Sequence, residues 1–277
     1  MTSSENDQPG NYIEVNGAQI YYEITGKGPP LVLVHAGICD RRMWDEQVAA
    51  FRDHFRVIRY DMRGYGSTPL PAEDFSHQAD LYSLLQVLGI ESAVLLGCSM
   101  GGRIVVDVAL EHPDIVSALI LVTASVSGYD FEAEAPPQWD EMVSALKAGD
   151  FSRAAELDCQ IWVDGPQRNP EDVDLQVRER VIEMDLVALA NESRQLGQEI
   201  RQPPAANRLG EIKVPTLIIA GKLDQPDLMQ VAEAMHATLP DSEFIRMDGV
   251  AHLPNMEKPQ EFNQLVMDFL VRKFDYR

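Results

Sequence analysis

Ser99 stands at the centre of Gly97-Cys98-Ser99-Met100-Gly101, with an apolar run at 93–96 before it and a helical pattern at 103–111 after it. A serine hydroxyl becomes a useful nucleophile only when it is lifted clear of the backbone and offered to a base. A sharp strand-to-helix turn does the lifting. It also crowds the residues two before and two after the serine, so both must be small. Both are glycine here, and Gly102 follows. A base and an acid must then reach the hydroxyl. His252 comes shortly after the apolar run 244–247, and Asp224 comes after 217–220, in Gly221-Lys222-Leu223-Asp224. An imidazole takes the serine proton and returns it to the leaving group, while a carboxylate holds the imidazole tautomer. Serine, aspartate and histidine in this chain order, each close behind an apolar run, predict acyl transfer with Ser99, Asp224 and His252 as catalytic residues. Asp227 is a rival acid, but it reads as a helix N-cap or first-turn residue, and Asp248 reads as a turn former.

These residues need a scaffold that brings distant segments to one rim. The apolar runs 31–34, 57–60, 93–96, 119–122 and 217–220 show little in–out alternation, as strands buried on both faces do. A weaker strand is expected at 244–247. Asn16-Gly17 between 12–15 and 19–23 predicts a hairpin. Helical patterns at 43–51, 77–88, 103–111, 227–239 and 259–269 fall between the strands. The expected fold class is α/β: a mostly parallel, eight-stranded, doubly wound sheet with ligands at the carboxyl ends of its strands.

The alternation stops between about 127 and 209. That stretch reads as helical at 139–146, 152–162 and 172–191, bracketed by Pro136-Pro137 and Pro203-Pro204. Residues 1–126 and 210–277 are therefore expected to form the core and 127–209 an inserted helical cap. Trp139, Met142, Trp162 and Met184 are its candidate pocket residues, though their helical spacing serves a cap core equally well. The first ten residues are expected to be a loose tail.

Composition narrows the function. The 277 residues are 45% hydrophobic, enough for a large core, and the net charge is −21. So acidic a chain argues against nucleic acid and anionic membrane as partners and disfavours polyanionic substrates; a small-molecule substrate is expected from the ordered triad and the cap. The cap segment carries 8 basic and 17 acidic residues, 8 − 17 = −9, so it is no anion trap. Three widely spaced cysteines suggest neither zinc site nor disulfide framework and suit a cytoplasmic location. There is no secretory signal pattern and no apolar stretch of membrane-spanning length. The oligomeric state is left between monomer and homodimer.

The elbow, the turn Asp61-Met62-Arg63-Gly64-Tyr65-Gly66 and the segment His252-Leu253-Pro254-Asn255-Met256-Glu257-Lys258-Pro259 resemble the α/β-hydrolase fold superfamily, over the chain from about Asn11 onward. The resemblance is to capped serine hydrolases of the esterase and enol-lactonase kind. Haloalkane dehalogenases and epoxide hydrolases have aspartate where this chain has Ser99. The resemblance implies an oxyanion hole built from backbone N–H groups of Met100 and of the loop His35-Ala36-Gly37. Gly37 is assigned as the second donor. Ala36 replaces a glycine common in that family, which keeps Ala36 and Ile38 as alternatives. No metal and no organic cofactor is implied. The expected activity is hydrolysis of a small carboxylic ester or lactone through an acyl-enzyme. Carbon–carbon bond hydrolysis, thioester hydrolysis and cofactor-free perhydrolase or haloperoxidase chemistry are alternatives on the same triad, and a ligand receptor that kept the fold is an alternative of another class.

Overall fold

The computed structural model describes residues 8–129, 134–194, 196–200 and 203–274. Eight strands form one sheet: β1 (Gln8–Val15), β2 (Ala18–Thr25), β3 (Pro30–Val34), β4 (Arg56–Tyr60), β5 (Ala93–Cys98), β6 (Val116–Val122), β7 (Thr216–Gly221) and β8 (Ser242–Met247). Their spatial order is β1-β2-β4-β3-β5-β6-β7-β8. The β1–β2 and β2–β4 pairs are antiparallel, and the rest are parallel. The sheet is thus mostly parallel and eight-stranded, as the apolar runs imply. Asn16 and Gly17 turn the first hairpin, both with positive φ. β1 begins at Gln8, so the N-terminal tail is shorter than expected, and residues 1–7 lie outside the described part.

Nine α-helices flank or follow the strands: α1 (Asp45–Phe51), α2 (His77–Val87), α3 (Met100–Glu111), α4 (Trp139–Ala148), α5 (Phe151–Asp158), α6 (Leu175–Glu192), α7 (Pro226–Thr238), α8 (Pro254–Glu257) and α9 (Pro259–Phe274), counted among the described residues. The lack of alternation in the central strands has a direct cause. Val32, Val34 and Leu95 pack with Leu81, Ile104 and Met235, on the face covered by α2, α3 and α7. Their chain neighbours Leu31, Leu33 and Leu96 pack with Phe51, Phe262 and Phe269, on the face covered by α1 and α9. With both faces buried, each such side chain contributes about 1.5–3 kcal/mol of transfer free energy.

Helices α4, α5 and α6 lie between β6 and β7. Local signals set their ends. Gly149 closes α4 in the left-handed region, Asp150 caps α5 by accepting from Arg153 N, and Asp174 caps α6 by accepting from Gln176 N. The helix expected over 152–162 stops early: α5 ends at Asp158 and the chain continues as a π-helical turn, Cys159–Asp164. That turn rotates Trp162 away from the direction a continuous α-helix would give it.

Candidate active site

Ser99 directly follows β5 and precedes the first residue of α3, with φ 53° and ψ −114°. A non-glycine residue in this region stores about 1–3 kcal/mol of strain, which the surroundings must hold in place. They do so through the backbone. Ser99 N donates to Val122 O at 2.9 Å, and Ser99 O accepts from Arg103 N at 3.1 Å and Ser125 N at 3.2 Å. The glycines are there because nothing else fits. A Cβ on Gly97 would lie 2.3 Å from Gly101 O, and one on Gly101 would lie 2.3 Å from Val34 O. Ser99 itself is half-buried.

Asp224 and His252 meet. His252 Nδ1 lies 2.9 Å from Asp224 Oδ2, and both side chains are almost fully buried. Asp224 follows β7, and its second carboxylate oxygen accepts from Gln225 N at 2.8 Å, which fixes the plane of the group. Asp227 lies in the first turn of α7, away from this contact, and Asp248 is an exposed partner of Lys222.

The loop that carries His252 is held from three directions. His252 N donates to Trp162 O at 3.3 Å. The Thr123 hydroxyl donates to His252 O at 2.8 Å. Ala251 N donates to Glu257 Oε1 at 2.8 Å, while Glu257 also pairs with Arg168 at 2.6 Å. Thr123 follows Val122, the residue that bonds Ser99 N, so the end of β6 and the residue after it touch both the elbow and the histidine loop. Thr123 has φ 43°, unusual for a β-branched residue. Neither Thr123 nor Glu257 was identifiable as a support from sequence. The only local hint at Thr123 is a polar residue directly after an apolar strand.

Cys98 is buried and points to the other side of the elbow, with Sγ 3.5 Å from Thr123 Oγ1. Burial pushes its thiol up to about 12, against nucleophilic use.

Gly37 and Met100 are in contact: a Cβ on Gly37 would lie 3.8 Å from Met100 Cβ and Sδ. Met100 opens α3, where free N–H groups point out of the helix. His35 braces this loop. Its Nε2 accepts from Met62 N at 3.0 Å, which leaves Nδ1 to donate to Ala36 O at 2.8 Å. Burial holds its pKa down, consistent with a neutral ring.

A cavity of about 1230 Å³ opens beside Met100, lined on one side by Tyr65 and Phe75 and on the other by Phe151, Ala188 and Glu192 of the inserted helices. Trp162 sits at the site, its ring 4.9 Å from that of His252. The other three residues expected at the pocket are placed elsewhere. Met142 packs against Ala154, Leu157 and Leu189 within the inserted helices. Met184 packs with Cys39 and Val181, away from the cavity lining. Trp139 is 39% exposed at the start of α4. At helical spacing a core stripe and a pocket stripe look alike, and only the direction of each helix separates them.

No helix among the described residues is long and apolar enough to cross a membrane.

A family of alpha/beta hydrolase fold proteins matches residues 29–259. The chain is 30% identical, over 91% of its length and 97% of the relative's, to the pimeloyl-[acyl-carrier protein] methyl ester esterase of Yersinia enterocolitica. Its structure is similar to that of the enol-lactonase from Burkholderia xenovorans, with a TM-score of 0.77, 26% identity and coverage of 94% and 99% of the two chains. It is also similar to a hydrolase from Pseudomonas aeruginosa, with a TM-score of 0.74, 28% identity and coverage of 94% and 98%. With the match spanning the elbow, the acid and the histidine loop, the chain belongs to the alpha/beta hydrolase fold family.

Proposed function

We propose that this chain is a serine hydrolase that cleaves a small-molecule carboxylic ester or lactone through an acyl-enzyme. The carrying observation is the buried 2.9 Å contact between His252 and Asp224 at the same rim of the sheet as the strained Ser99 elbow. Relatives named as a methyl ester esterase and an enol-lactonase support the bond type. Asp224 accepts from Nδ1 of His252, which leaves Nε2 free to take the Ser99 proton as the hydroxyl oxygen attacks the carbonyl carbon. The negative charge that develops on the carbonyl oxygen meets the N–H groups of Met100 and Gly37, fixed donors of the kind worth about 100–1000-fold each in rate. His252 then protonates the leaving alkoxide. Water attacks the acyl-enzyme by the same steps in reverse, and Ser99 is freed.

Residues 127–209 act as a cap that closes the cavity and excludes water from the reacting carbonyl. Three buried, unpaired cysteines suit a reducing cytoplasm. The protein works as a monomer or homodimer, which size-exclusion chromatography with light scattering decides.

The test is Ser99→Ala, assayed with short p-nitrophenyl esters and with a fluorophosphonate probe. Turnover falls by at least about 1000-fold, and labelling is lost. Undiminished turnover, or labelling that persists in the variant, overturns the assignment.

A further inference from the structure

The turn at 61–66 plays no part in the hydrolysis above, yet it sets Tyr65 in the wall of the cavity. The chain bends back sharply there. Gly64 has φ 86° and Gly66 has φ 49°, and a Cβ on Gly66 would lie 2.4 Å from the Asp61 carboxylate. Tyr65 N donates to Met62 O at 3.0 Å, and Thr68 N donates to Tyr65 O at 2.9 Å. Helix α6 grips the turn from the other side, where Asn191 Nδ2 donates to Gly64 O at 2.8 Å. The phenol ring packs edge-on against His35, with centroids 5.0 Å apart, and both nitrogens of His35 are already engaged. The phenol is thus held in place before any ligand arrives.

Its hydroxyl lacks a good acceptor. The partner is the Met100 thioether, 4.0 Å away, and a thioether sulfur accepts weakly. Burial, and then the charges of Glu192, Asp185 and Glu199, push the pKa of Tyr65 up, so the hydroxyl keeps its proton and remains a donor. The sulfur also fixes where that donor stands. Met100 Sδ lies 3.8 Å from the place a Cβ on Gly37 would take, and Met100 and Gly37 carry the two N–H groups assigned to the oxyanion. The Tyr65 hydroxyl is therefore a neighbour of the reacting carbonyl. The cavity wall sets the charge of what it can meet. Arg63 is spent on Asp80, at 2.6 and 2.7 Å, and on two backbone carbonyls. Glu199 is paired with Arg103 at 2.7 Å. A carboxylate brought to Tyr65 would meet the acidic groups named above with no unspent cation in the buried wall to offset them.

We propose that Tyr65 determines specificity by donating a hydrogen bond to an uncharged oxygen acceptor, a keto, amide or ether oxygen, that the substrate carries a few bonds from the scissile carbonyl. This rests on the serine-hydrolase reading and narrows its substrate class to oxygen-substituted esters and lactones. A plain alkyl chain in the cavity would strip water from the hydroxyl and return nothing better than the sulfur. A site built to hydrogen-bond its substrate rejects an analogue that lacks the partner for this reason.

The test uses the full-length protein and p-nitrophenyl hexanoate, set against ethers in which oxygen replaces one methylene of the acyl chain, at each position past the first. A second set places the same chains on the alcohol side of acetate esters. Each kcat/KM is divided by the rate constant for hydroxide-catalysed hydrolysis of the same ester, which removes intrinsic reactivity. In one of the two sets an ether exceeds the all-methylene ester by at least about fivefold, and an ester of equal length ending in a carboxylate stays below that ether. Tyr65→Phe keeps the ring and deletes the donor, and it brings the ether-to-methylene ratio to within about twofold of one. The proposal is overturned if no ether reaches that preference in either set, if Tyr65→Phe keeps it, or if the carboxylate ester matches the best ether. The wild-type ratios decide even if the variant does not fold. Fluorophosphonate labelling of Ser99 separates the two readings. Labelling without an ether preference removes only the role of Tyr65, and absent labelling removes the hydrolase.

Discussion

Thr123 offers the sharpest test of how the histidine loop is held. Its hydroxyl donates to His252 O at 2.8 Å in a buried setting. Thr123→Val keeps the shape and the β-branch, and therefore the strain at φ 43°, but deletes the donor. The His252 carbonyl is then left with the Cys98 thiol at 3.9 Å, a weak substitute. An unsatisfied buried carbonyl costs about 1–3 kcal/mol. For a protein of this size, Tm moves by ~2–4 °C per kcal/mol, so melting falls by roughly 2–12 °C. The released carbonyl also frees the imbalance to act on the base: the imidazole loses one of the three anchors of its backbone, and kcat falls by about tenfold or more with little change in KM. Thr123→Ser keeps the hydroxyl and restores both values to near those of the parent. Differential scanning calorimetry and steady-state kinetics on a p-nitrophenyl ester read the two effects. A Thr123→Val protein that melts within about 1 °C of the parent and keeps kcat within about twofold would refute the reasoning.

Two further outcomes are expected. Gly101→Ala sets a methyl 2.3 Å from Val34 O and 2.6 Å from His35 O, both backbone atoms that cannot step aside. It therefore lowers stability by about 1–3 kcal/mol and moves the elbow, with fluorophosphonate labelling slowed at least about 100-fold, and labelling at the parent rate contradicts the steric account. Burial raises the pKa of Asp158, at the end of α5, and of Asp185, within α6, so the folded protein binds protons more tightly there than the unfolded chain does. Their contribution is therefore most favourable below the ordinary carboxylate range and is lost as pH rises, through about 6 for Asp158 and through its own raised pKa for Asp185. Asp185→Asn raises Tm relative to the parent at about pH 8 and not at about pH 4, and equal shifts at both values contradict the burial argument.

The scaffold was readable because its signals are steric or periodic. Unbroken runs such as 31–34 and 93–96 announce strands covered on both faces, and Gly97 and Gly101 announce a turn in which no side chain fits. Asp224 and His252 could be named because each comes soon after a strand that the sheet order carries to the same rim. The helical segment was less legible. Met142 and Met184 have the spacing of a lining stripe, yet Met142 packs among the inserted helices and Met184 joins the core cluster that holds Cys39, because spacing carries no information on which way a helix is docked. The π-helical turn at Cys159–Asp164, which aims Trp162 at His252, has no sequence signature. Asp185 was invisible for a different reason. An aspartate in an acidic helix reads as a solvated residue, and only its neighbours Val181, Met184 and Ala188, all buried, reveal that it faces inward.

The contacts of Trp162 O with His252 N, and of Arg168 with Glu257, run from the segment between β6 and β7 into the loop that bears His252. That segment is therefore more than a lid over a finished machine. A chimaera that exchanged it for another family member's, however well shaped for a new substrate, would have to import a carbonyl and a guanidinium at these two places. Otherwise it would gain a new entrance and lose the alignment of its proton carrier.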